Sequence, residues 1–252
     1  MTRDLILVSN DDGIHSEGLE ALAGALEDVG EVWVVGPDRE RSAASHSLTL
    51  HRPLRVTQLA ARRYAVDGTP TDCVNLAIHG ILPRRPRLVM AGINKGANLG
   101  EDTTYSGTVS AAMEGTLLGV RSVAVSRMGR EVFEFGDAAR FARVLAQHVL
   151  ANGLPRDTLL NVNVPDRPVG AVTEFTFTRQ GRRRYGNAIV EKADPRGRKY
   201  YWIGSDELEF EAADGTDFAA VARGVISITP IHLDLTNYAS FEELSGVRLE
   251  WP

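Results

Sequence analysis

Apolar and polar residues alternate along the first forty residues in a way that predicts a strand, a helix and a second strand. Leu5 to Val8 is a short apolar run of the kind that a buried parallel strand shows. Glu31 to Asp38 has the same character. Apolar residues between them recur at helical spacing, at Leu19, Leu22, Leu26 and Val29. A helix between two strands indicates a crossover connection, so we expect parallel strands and a helix that begins near Ser16.

The same alternation continues to residue 165. The segments "RLVMAGIN", "RSVAVS" and "TLLNVNVP" predict further strands. Helices are predicted in "GTPTDCVNLAIHGIL", in "SGTVSAAMEGTLLGV" and from Gly136 to Leu150. In the first of these helices, Thr69 and Asp72 have the spacing of a capping box, with Pro70 at the first helical position.

Each helix also has a predicted buried face. In the helix after Thr69, this face comprises Val74, Ile78 and Ile81. In the helix from Gly136 to Leu150, the predicted face comprises Phe141, Leu145, His148 and Val149.

These elements predict an α/β fold, with a Rossmann-like, doubly wound, mostly parallel sheet in three α/β/α layers over residues 1–165. Residues 166–252 have a different character. The segments "AVTEFTFTRQGRRRYG", "KYYWIG" and "GVISITPIHLDLT" predict strands that are rich in aromatic and β-branched residues. We interpret residues 166–252 as added strands and an extended arm of a single domain that covers residues 1–252.

Composition narrows the function classes. The chain has 252 residues, a formal net charge of −5 and 43% hydrophobic residues, which is typical of a globular protein and argues against a general nucleic-acid binder. The single cysteine, Cys73, excludes an intrachain disulfide and a cysteine-based zinc cluster. The N-terminus turns acidic too early for a secretory signal, and no apolar run approaches the ~20 residues of a membrane span. We therefore expect a cytoplasmic protein.

Two polar stretches carry the candidate chemistry. Asp11 and Asp12 follow the first strand, where paired carboxylates could bind Mg²⁺ or Mn²⁺, or could form an Asx-type turn before the helix. A long loop from Gly92 to Tyr105 ends in Ser106–Gly107–Thr108 at a helix start, which offers backbone N–H groups to a phosphate or is a plain N-cap. Ligands in such sheets bind at the carboxyl ends of the strands. The two stretches together suggest metal-assisted phosphoryl hydrolysis.

Other named chemistries find less support in the sequence. The chain has no G-x-G-x-x-G dinucleotide motif, no P-loop and no G-x-S-x-G elbow. No H-x-x-x-H pair is present, which argues against a zinc protease. We interpret Cys73 as a small buried residue. His15 and His46 lie near the polar stretches, and for both a structural or surface role is the simpler interpretation.

Six stretches, in order, resemble the SurE (survival protein E) family. They are "ILVSNDDGIHSEGLEALA", "PDRERSAASHSLTL", "GTPTDCV", "GINKGANLGEDTTYSGTVSAAMEG", "DPRGRKYYWIG" and "TDFAAVARGVISITPIHLDLT". The resemblance implies a divalent-metal-dependent phosphatase that acts on nucleoside 5′- and 3′-monophosphates, with polyphosphate as a further substrate in some members. It also implies a Rossmann-like core and a C-terminal arm that assembles homodimers or homotetramers.

The resemblance also implies roles for individual residues. One divalent cation per subunit, Mg²⁺ or Mn²⁺, would be bound by Asp11, Asp12, Ser42 and Asn94. Phosphate contacts would fall on Asn98, Ser106, Gly107 and Thr108. Our own mechanistic hypothesis makes Asp11 and Asp12 catalytic as well, with direct attack of a metal-polarised water whose proton an aspartate such as Asp12 accepts, or with a covalent aspartyl-phosphate on Asp11; the sequence does not separate these two routes.

Two alternative functions remain. One is a regulator that binds nucleotides in the same pocket without turnover. The other is a nucleic-acid-binding module built on Arg182–Arg184, although a charged β-arm is more often a solvated face or a subunit contact. The aromatic segments "KYYWIG" and "FTFT" could form a symmetric subunit interface or cover the parallel core.

Overall fold

The computed structural model describes residues 3–129, 132–184, 189–203, 209–211 and 213–249. The strands are β1 (Leu5–Ser9), β2 (Glu31–Pro37), β3 (Val56–Ala60), β4 (Arg63–Val66), β5 (Leu88–Lys95), β6 (Arg121–Arg127), β7 (Thr158–Val164), β8 (Phe175–Phe177), β9 (Arg183–Arg184), β10 (Ile189–Ala193), β11 (Lys199–Ile203), β12 (Glu209–Phe210) and β13 (Ile226–His232). The α-helices are α1 (Glu17–Leu26), α2 (Pro70–Leu76), α3 (Gly107–Leu117), α4 (Gly136–Asn152), α5 (Asp217–Ala222) and α6 (Phe241–Leu244). A π-helical turn (Ala77–Ile81) follows α2, and 3₁₀ turns span Gly100–Thr104 and Tyr238–Ser240.

Within the described residues, nine strands form one sheet in the order β3-β4-β2-β1-β5-β6-β7-β13-β8. Neighbouring strands from β4 to β7 all run parallel, whereas β3 and β13 pair antiparallel with β4 and β7. The predicted doubly wound, mostly parallel α/β sheet is therefore confirmed. The chain leaves β1 for β2 on one side and later returns to β5 on the other, so a crevice opens at the carboxyl end of β1.

The sheet has an apolar core on each face, because helices cover both sides. Ile6 and Val8 of β1 pack with α1 and α4, and Leu7 packs on the opposite face with α2 and α3. Every residue of β1 is buried. This double burial explains why the strand reads as a continuous apolar run rather than as an alternating one.

The predicted helix starts are confirmed by their caps. Ser16 caps α1, and Thr69 and Asp72 form a capping box around Pro70 at the start of α2. The predicted faces are less accurate. Val74 is buried, but Ile78 and Ile81 are only partly buried in the π-helical turn that ends this helix early.

The predicted buried face of α4 is wrong in part. His148 is exposed, and Phe141 and Leu145 are only partly buried. The residues that face the sheet are mainly small, and they include Ala138, Ala142, Ala146 and Val149. Small side chains let the helix axis approach the sheet closely. The sequence-based prediction gave most weight to large apolar residues, and it therefore placed the buried face a fraction of a turn away from these alanines.

Residues beyond 165 contribute both to the sheet and to structure outside it. The predicted strands in "FTFT" and "GVISITPIHLDLT" are β8 and β13 of the main sheet. Residues 199–203 of the segment "KYYWIG" form β11, which pairs with β10 in a hairpin whose strand residues are all exposed. Part of the predicted strand "AVTEFTFTRQGRRRYG" lies outside the described residues. The edge pair β3 and β4 was not predicted, because every residue of β3 is exposed and leaves no alternating pattern.

The described helices include none that is both long enough and apolar enough to cross a bilayer.

Candidate active site

Four polar segments meet at the carboxyl end of β1. We call residues 38–50 the Ser42 loop and residues 96–105 the Asn98 loop. The backbone N–H of Arg41 donates to the Asp11 carbonyl oxygen at 2.7 Å, and the backbone N–H of Lys95 donates to Asp12 Oδ2 at 3.2 Å. The Thr108 hydroxyl at the start of α3 donates to Asp11 Oδ1. The two aspartates, β5, the Ser42 loop and α3 therefore form one site, as the sheet topology requires.

Asp11 is buried against the first turn of α3. A Cβ atom on Gly107 would lie 2.7 Å from Asp11 Cβ and 2.8 Å from Asp11 Oδ2, so only glycine leaves room for the carboxylate. Burial raises the pKa of Asp11 above its ordinary value, while hydrogen bonds from the Thr108 hydroxyl and from the backbone N–H groups of Thr108 and Gly107 oppose that rise. The carboxylate therefore lies at the positive end of the helix dipole.

Asp12 is less buried and lies beside Lys95. Burial raises the pKa of Asp12 to about 6, the negative charge of Asp11 adds to the rise, and the backbone N–H and charge of Lys95 oppose it. Two adjacent carboxylates that repel each other at a partly desolvated site are an arrangement that a divalent cation relieves.

The other two predicted metal ligands offer neutral oxygen atoms. Asn94 donates its amide N–H to the Gly96 carbonyl at 2.9 Å, and within the described residues its Oδ1 receives no hydrogen bond. Ser42 is exposed and donates its hydroxyl to Glu40 at 2.7 Å, which leaves the lone pairs of its Oγ available. No cluster of three or more His, Cys, Asp or Glu side chains that could hold a metal ion occurs in the described part of the chain. Two carboxylates with neutral oxygens suit a hard cation such as Mg²⁺ or Mn²⁺.

The adjacent turn is built by Asn10. Its amide donates to the Gly13 carbonyl at 3.0 Å and to Ser16 Oγ at 2.7 Å, and Ser16 in turn caps α1. The turn therefore fixes the backbone that presents the two aspartates. The Asx-type turn and the metal-site interpretations of "SNDDG" are compatible, because the side chain that builds the turn belongs to Asn10 and neither aspartate carboxylate is used for it.

The predicted phosphate cradle is already engaged in internal hydrogen bonds. Ser106 is the N-cap of α3, and its Oγ accepts the backbone N–H of Val109 at 3.1 Å. The Thr108 hydroxyl is committed to Asp11. Both side chains are buried. The plain N-cap interpretation of this stretch is therefore correct for Ser106, and a phosphate contact by the same stretch stays a prediction.

Asn98 lies in a buried polar network that the sequence analysis missed. Its backbone N–H donates to Asn163 Oδ1 at 2.8 Å, and its carbonyl accepts the side-chain amides of Asn161 at 2.8 Å and Asn163 at 2.9 Å. Its own amide donates to Ser126 Oγ at 2.8 Å. The two asparagines alternate in "NVNV" within a strand that is buried on both faces, and polar residues at such positions are the signal that could have revealed the network.

A second missed residue, Asp217, anchors the same loop from the C-terminal part of the chain. Its fully buried carboxylate accepts the backbone N–H groups of Gly100 at 2.8 Å, of Gly181 at 2.8 Å and of Phe218 at 2.9 Å. Gln180 adds a hydrogen bond from its amide to the Gly100 carbonyl at 3.1 Å. Residues beyond 165 therefore support the candidate site directly.

A cleft of about 350 Å³ adjoins Asp12. His15, Arg39 and Lys95 line it together with Asp38 and Glu40. His15 and Asp12 therefore line the same cleft, whereas Asp11 is not among its lining residues.

Of the remaining two side chains singled out from the sequence, Cys73 lies in the core and His46 lies in the Ser42 loop. Cys73 is buried, and burial raises the pKa of its thiol well above the ordinary value, which supports the interpretation as an inert core residue. His46 contacts Glu114 on α3.

Comparison with known proteins agrees with this geometry. Residues 6–187 match the family model described as Survival protein SurE. The chain is 60% identical over 244 residues to the 5′-nucleotidase SurE of Syntrophotalea carbinolica, an alignment that covers 96% of both chains. It is 59% identical over 242 residues to the 5′-nucleotidase SurE of Geobacter sulfurreducens, covering 96% of this chain and 92% of the relative.

A solved structure shows the same fold. The crystal structure of the SurE protein from Aquifex aeolicus superposes with a TM-score of 0.87 at 46% sequence identity, covering 96% of this chain and 98% of that one. The family model, the curated relatives and the solved structure lead to one conclusion: this chain belongs to the SurE survival protein family.

Proposed function

We propose that this protein is a 5′-nucleotidase that hydrolyses nucleoside monophosphates to nucleoside and phosphate in a divalent-metal-dependent reaction, with 3′-monophosphates and polyphosphate as further substrates. The observation that carries the proposal is the pair Asp11 and Asp12 at the carboxyl end of β1, with Asp11 in contact with the start of α3. The nucleotidase names of relatives that are 55–60% identical over nearly the whole chain support it.

Asp11, Asp12, Ser42 and Asn94 would hold one Mg²⁺ or Mn²⁺ per subunit. When bound, the cation would polarise a phosphate oxygen and lower the pKa of a water molecule. Asn98 and the Ser106–Thr108 turn would contact the phosphate through groups that their internal hydrogen bonds leave free. The N-terminus of α3 favours the negative charge of the substrate.

Asp12 is the better candidate for a proton acceptor. It is less buried than Asp11, which is engaged by Thr108 and packed on Gly107. The rival route is a covalent aspartyl-phosphate on Asp11. The stereochemical course at phosphorus, followed with a nucleotide whose phosphate is made chiral by oxygen isotopes, separates the two: direct attack by water inverts the configuration, and two displacements through an aspartyl-phosphate retain it.

The first test of the function is phosphate release. A panel of nucleoside 5′- and 3′-monophosphates should release phosphate with Mg²⁺ or Mn²⁺ and not with EDTA, and Asp11→Asn should abolish the release. Asp28→Asn is a matched control, because Asp28 lies on the surface in an ion pair with Arg143. Tight nucleotide binding without release under any metal would instead favour the regulator that binds nucleotides without turnover.

We also propose assembly into a dimer or tetramer through residues 166–252. The β10–β11 hairpin exposes Tyr201 to 56%, Trp202 to 64% and Ile203 to 87%, and apolar surface of this kind is typical of an interface. Light scattering of the full chain tests this proposal, and a monomer at micromolar concentration would contradict it.

The alternative nucleic-acid surface on Arg182–Arg184 is weakened by the contacts of Arg183. Its guanidinium pairs with Asp102 at 2.8 Å, and its backbone N–H donates to Glu101 at 2.9 Å. The side chain therefore faces acidic groups of the Asn98 loop. The side chain of Arg184 lies outside the described residues.

A further inference from the structure

A buried carboxylate on α3 joins that helix to the Ser42 loop. Glu114 Oε2 lies 2.9 Å from His46 Nε2, and Glu114 Oε1 accepts the Asn75 amide of α2 at 2.7 Å. We call these three residues the Glu114 cluster. Of these residues, only His46 belongs to a loop of the candidate site, and it stands four residues after Ser42.

Glu114 needs these partners because it has little access to water. The residue is 5% exposed, and an unpaired buried carboxylate is strongly unfavourable. Burial acts to raise its pKa, but hydrogen bonds from His46 and Asn75 and the nearby charges of His46 and His79 hold the pKa below its ordinary value. Glu114 is therefore a fixed acceptor that binds His46 rather than an incidental surface contact.

The segment between Ser42 and His46 has a backbone that needs to be held. Ala43 and Ser45 both adopt left-handed conformations, with φ of 55° and 52°, which non-glycine residues rarely occupy. Such conformations persist only where surrounding contacts fix them, and they are frequent at functional sites. Here the contacts that fix the segment to the rest of the fold are the Arg41 N–H to the Asp11 carbonyl, the Ser45 N–H to the Tyr105 carbonyl at 3.2 Å, and the His46–Glu114 pair. Within the loop, the Ser47 hydroxyl also donates to the Ala44 carbonyl at 2.8 Å.

We propose that His46 is a positioning residue that, through Glu114, holds Ser42 in register with Asp11 and with the start of α3. The proposal rests on the proposed function, in which Ser42 is a ligand of the metal. His46 acts from outside the ligand set, because its described polar contact is with Glu114. The cluster thereby couples the two candidate binding elements, the metal ligands and the helix that faces the phosphate.

The Ser42 loop also contains residues whose backbone should not move when His46 is replaced. After His46, the chain is held by other groups: the Thr69 hydroxyl donates to the Ser47 carbonyl at 2.7 Å, and the Thr49 N–H donates to Asp72 Oδ1 at 2.9 Å. Loss of the His46 side chain should therefore release Ser42 to Ser45 and leave the backbone at Thr49 in place.

Hydrogen–deuterium exchange of the metal-free full chain measures this release without relying on activity. In His46→Ala, the amide of Ser45 should exchange about tenfold faster, whereas the amide of Thr49 should keep its wild-type rate. His46→Gln should restore much of the protection, because a glutamine amide can donate to Glu114. His51→Ala is the matched control, since His51 is an exposed histidine without a described polar partner.

Metal binding then tests whether the release matters for the site. The Kd for Mn²⁺ measured by electron paramagnetic resonance should rise a few-fold in His46→Ala, by no more than in Ser42→Ala, recover in His46→Gln and stay unchanged in His51→Ala. Unchanged exchange at Ser45 in His46→Ala would overturn the proposal. Faster exchange with unchanged Mn²⁺ affinity would also overturn it, since His46 would then stabilise only the loop.

These outcomes are distinct from failure of the proposed function. If the wild-type protein binds Mn²⁺ but releases no phosphate from any nucleotide, the nucleotidase proposal fails, and the positioning of Ser42 is still judged from exchange and Mn²⁺ affinity. If the wild-type protein binds no Mn²⁺, the Ser42 ligand role and this proposal are both overturned.

Discussion

The two loops that flank the carboxyl end of β1 contribute to the same site but are built differently. In the Asn98 loop, Asn98, Leu99, Gly100 and Thr103 are buried. In the Ser42 loop, no residue from 38 to 50 reaches that degree of burial. One side of the crevice is therefore part of the protein interior, and the other is a surface segment held by a few hydrogen bonds.

The difference teaches how rigidity is distributed around the site. The Asn98 loop satisfies its backbone with buried side chains, such as Asn163 of β7 and Asp217 of α5. Removal of any of these partners leaves a buried donor or acceptor without a hydrogen bond, which is costly. The Ser42 loop can rehydrate its groups when a contact is lost, so its contacts affect position more than global stability.

The largest expected effect follows from the lack of space beside Asp11. Gly107→Ala should lower kcat/KM roughly 100-fold or more, because the new Cβ forces the Asp11 carboxylate to move and misplacement of about 1 Å can cost that much. Steady-state phosphate release measures the loss, and thermal unfolding should show that the chain still folds.

Gly24→Ala in α1 is the matched control for this change. A Cβ at Gly24 would meet no atom within 4 Å, so activity should stay unchanged while stability rises by about 0.5–1 kcal/mol. Wild-type activity in Gly107→Ala would show that the packing between Asp11 and the start of α3 is less rigid than the distances indicate.

The next effect concerns the anchor of the Asn98 loop. Asp217→Asn should lower the free energy of unfolding by about 2 kcal/mol. The asparagine NH₂ group replaces one carboxylate oxygen, so the backbone N–H of Gly100 or Gly181 loses its acceptor and lies against another hydrogen-bond donor. Urea denaturation measures the change. Asp214→Asn, at an exposed aspartate in the same segment, should lie within about 0.5 kcal/mol of wild type. Equal stability of both variants would contradict a supporting role for Asp217.

A smaller effect is expected from Asp12, which lies between the two loops and should make the free energy of unfolding depend on pH. Its pKa in the folded protein is about 6, above the ordinary 3.8, so the folded state binds the proton more tightly than the unfolded state. In EDTA, this carboxyl should therefore lower the free energy of unfolding as the pH rises from about 4 to about 6, with no further loss above that range.

Asp12→Asn removes this titration and provides the comparison. The variant should match wild type near pH 4 and exceed it by on the order of 1–2 kcal/mol near pH 7.5, after allowance for solvent screening of a partly exposed group. Urea denaturation at both pH values measures the difference. A difference that does not change with pH would show that desolvation and repulsion from Asp11 are weaker than the geometry indicates.

The smallest expected effect is at the exposed side. Ser42→Ala should raise the Kd for Mn²⁺ only a few-fold and leave the free energy of unfolding within about 0.5 kcal/mol of wild type, because Ser42 is an exposed, neutral residue. Isothermal titration and urea denaturation measure the two quantities. Thr57→Ala, at an exposed hydroxyl residue of β3 without a described side-chain hydrogen bond, is the control and should leave Mn²⁺ affinity unchanged.

Local physics in the sequence was sufficient to predict much of the fold. The apolar runs of β1, β2, β5, β6 and β7 follow from burial on both faces, and the caps Ser16, Thr69 and Ser106 are local hydrogen bonds between near neighbours in the chain. The order of these elements also determined that Asp11, Asp12 and the start of α3 share one edge of a parallel sheet, since crossover connections are right-handed and place the strand ends together.

Tertiary structure alone decided which side chains support that edge. Asn163 lies 65 residues from Asn98, Glu114 lies 68 residues from His46, and Asp217 lies 117 residues from Gly100. A single sequence can mark Asn163 as a polar residue in a buried strand, but it carries no signal for the partners in such pairs, because their hydrogen bonds depend on which buried groups the folded chain brings within about 3 Å of one another. Local sequence patterns therefore determine which residues stand at this edge of the sheet. The rigidity of the edge depends on hydrogen bonds between residues that are distant in the chain, and only the complete fold provides them.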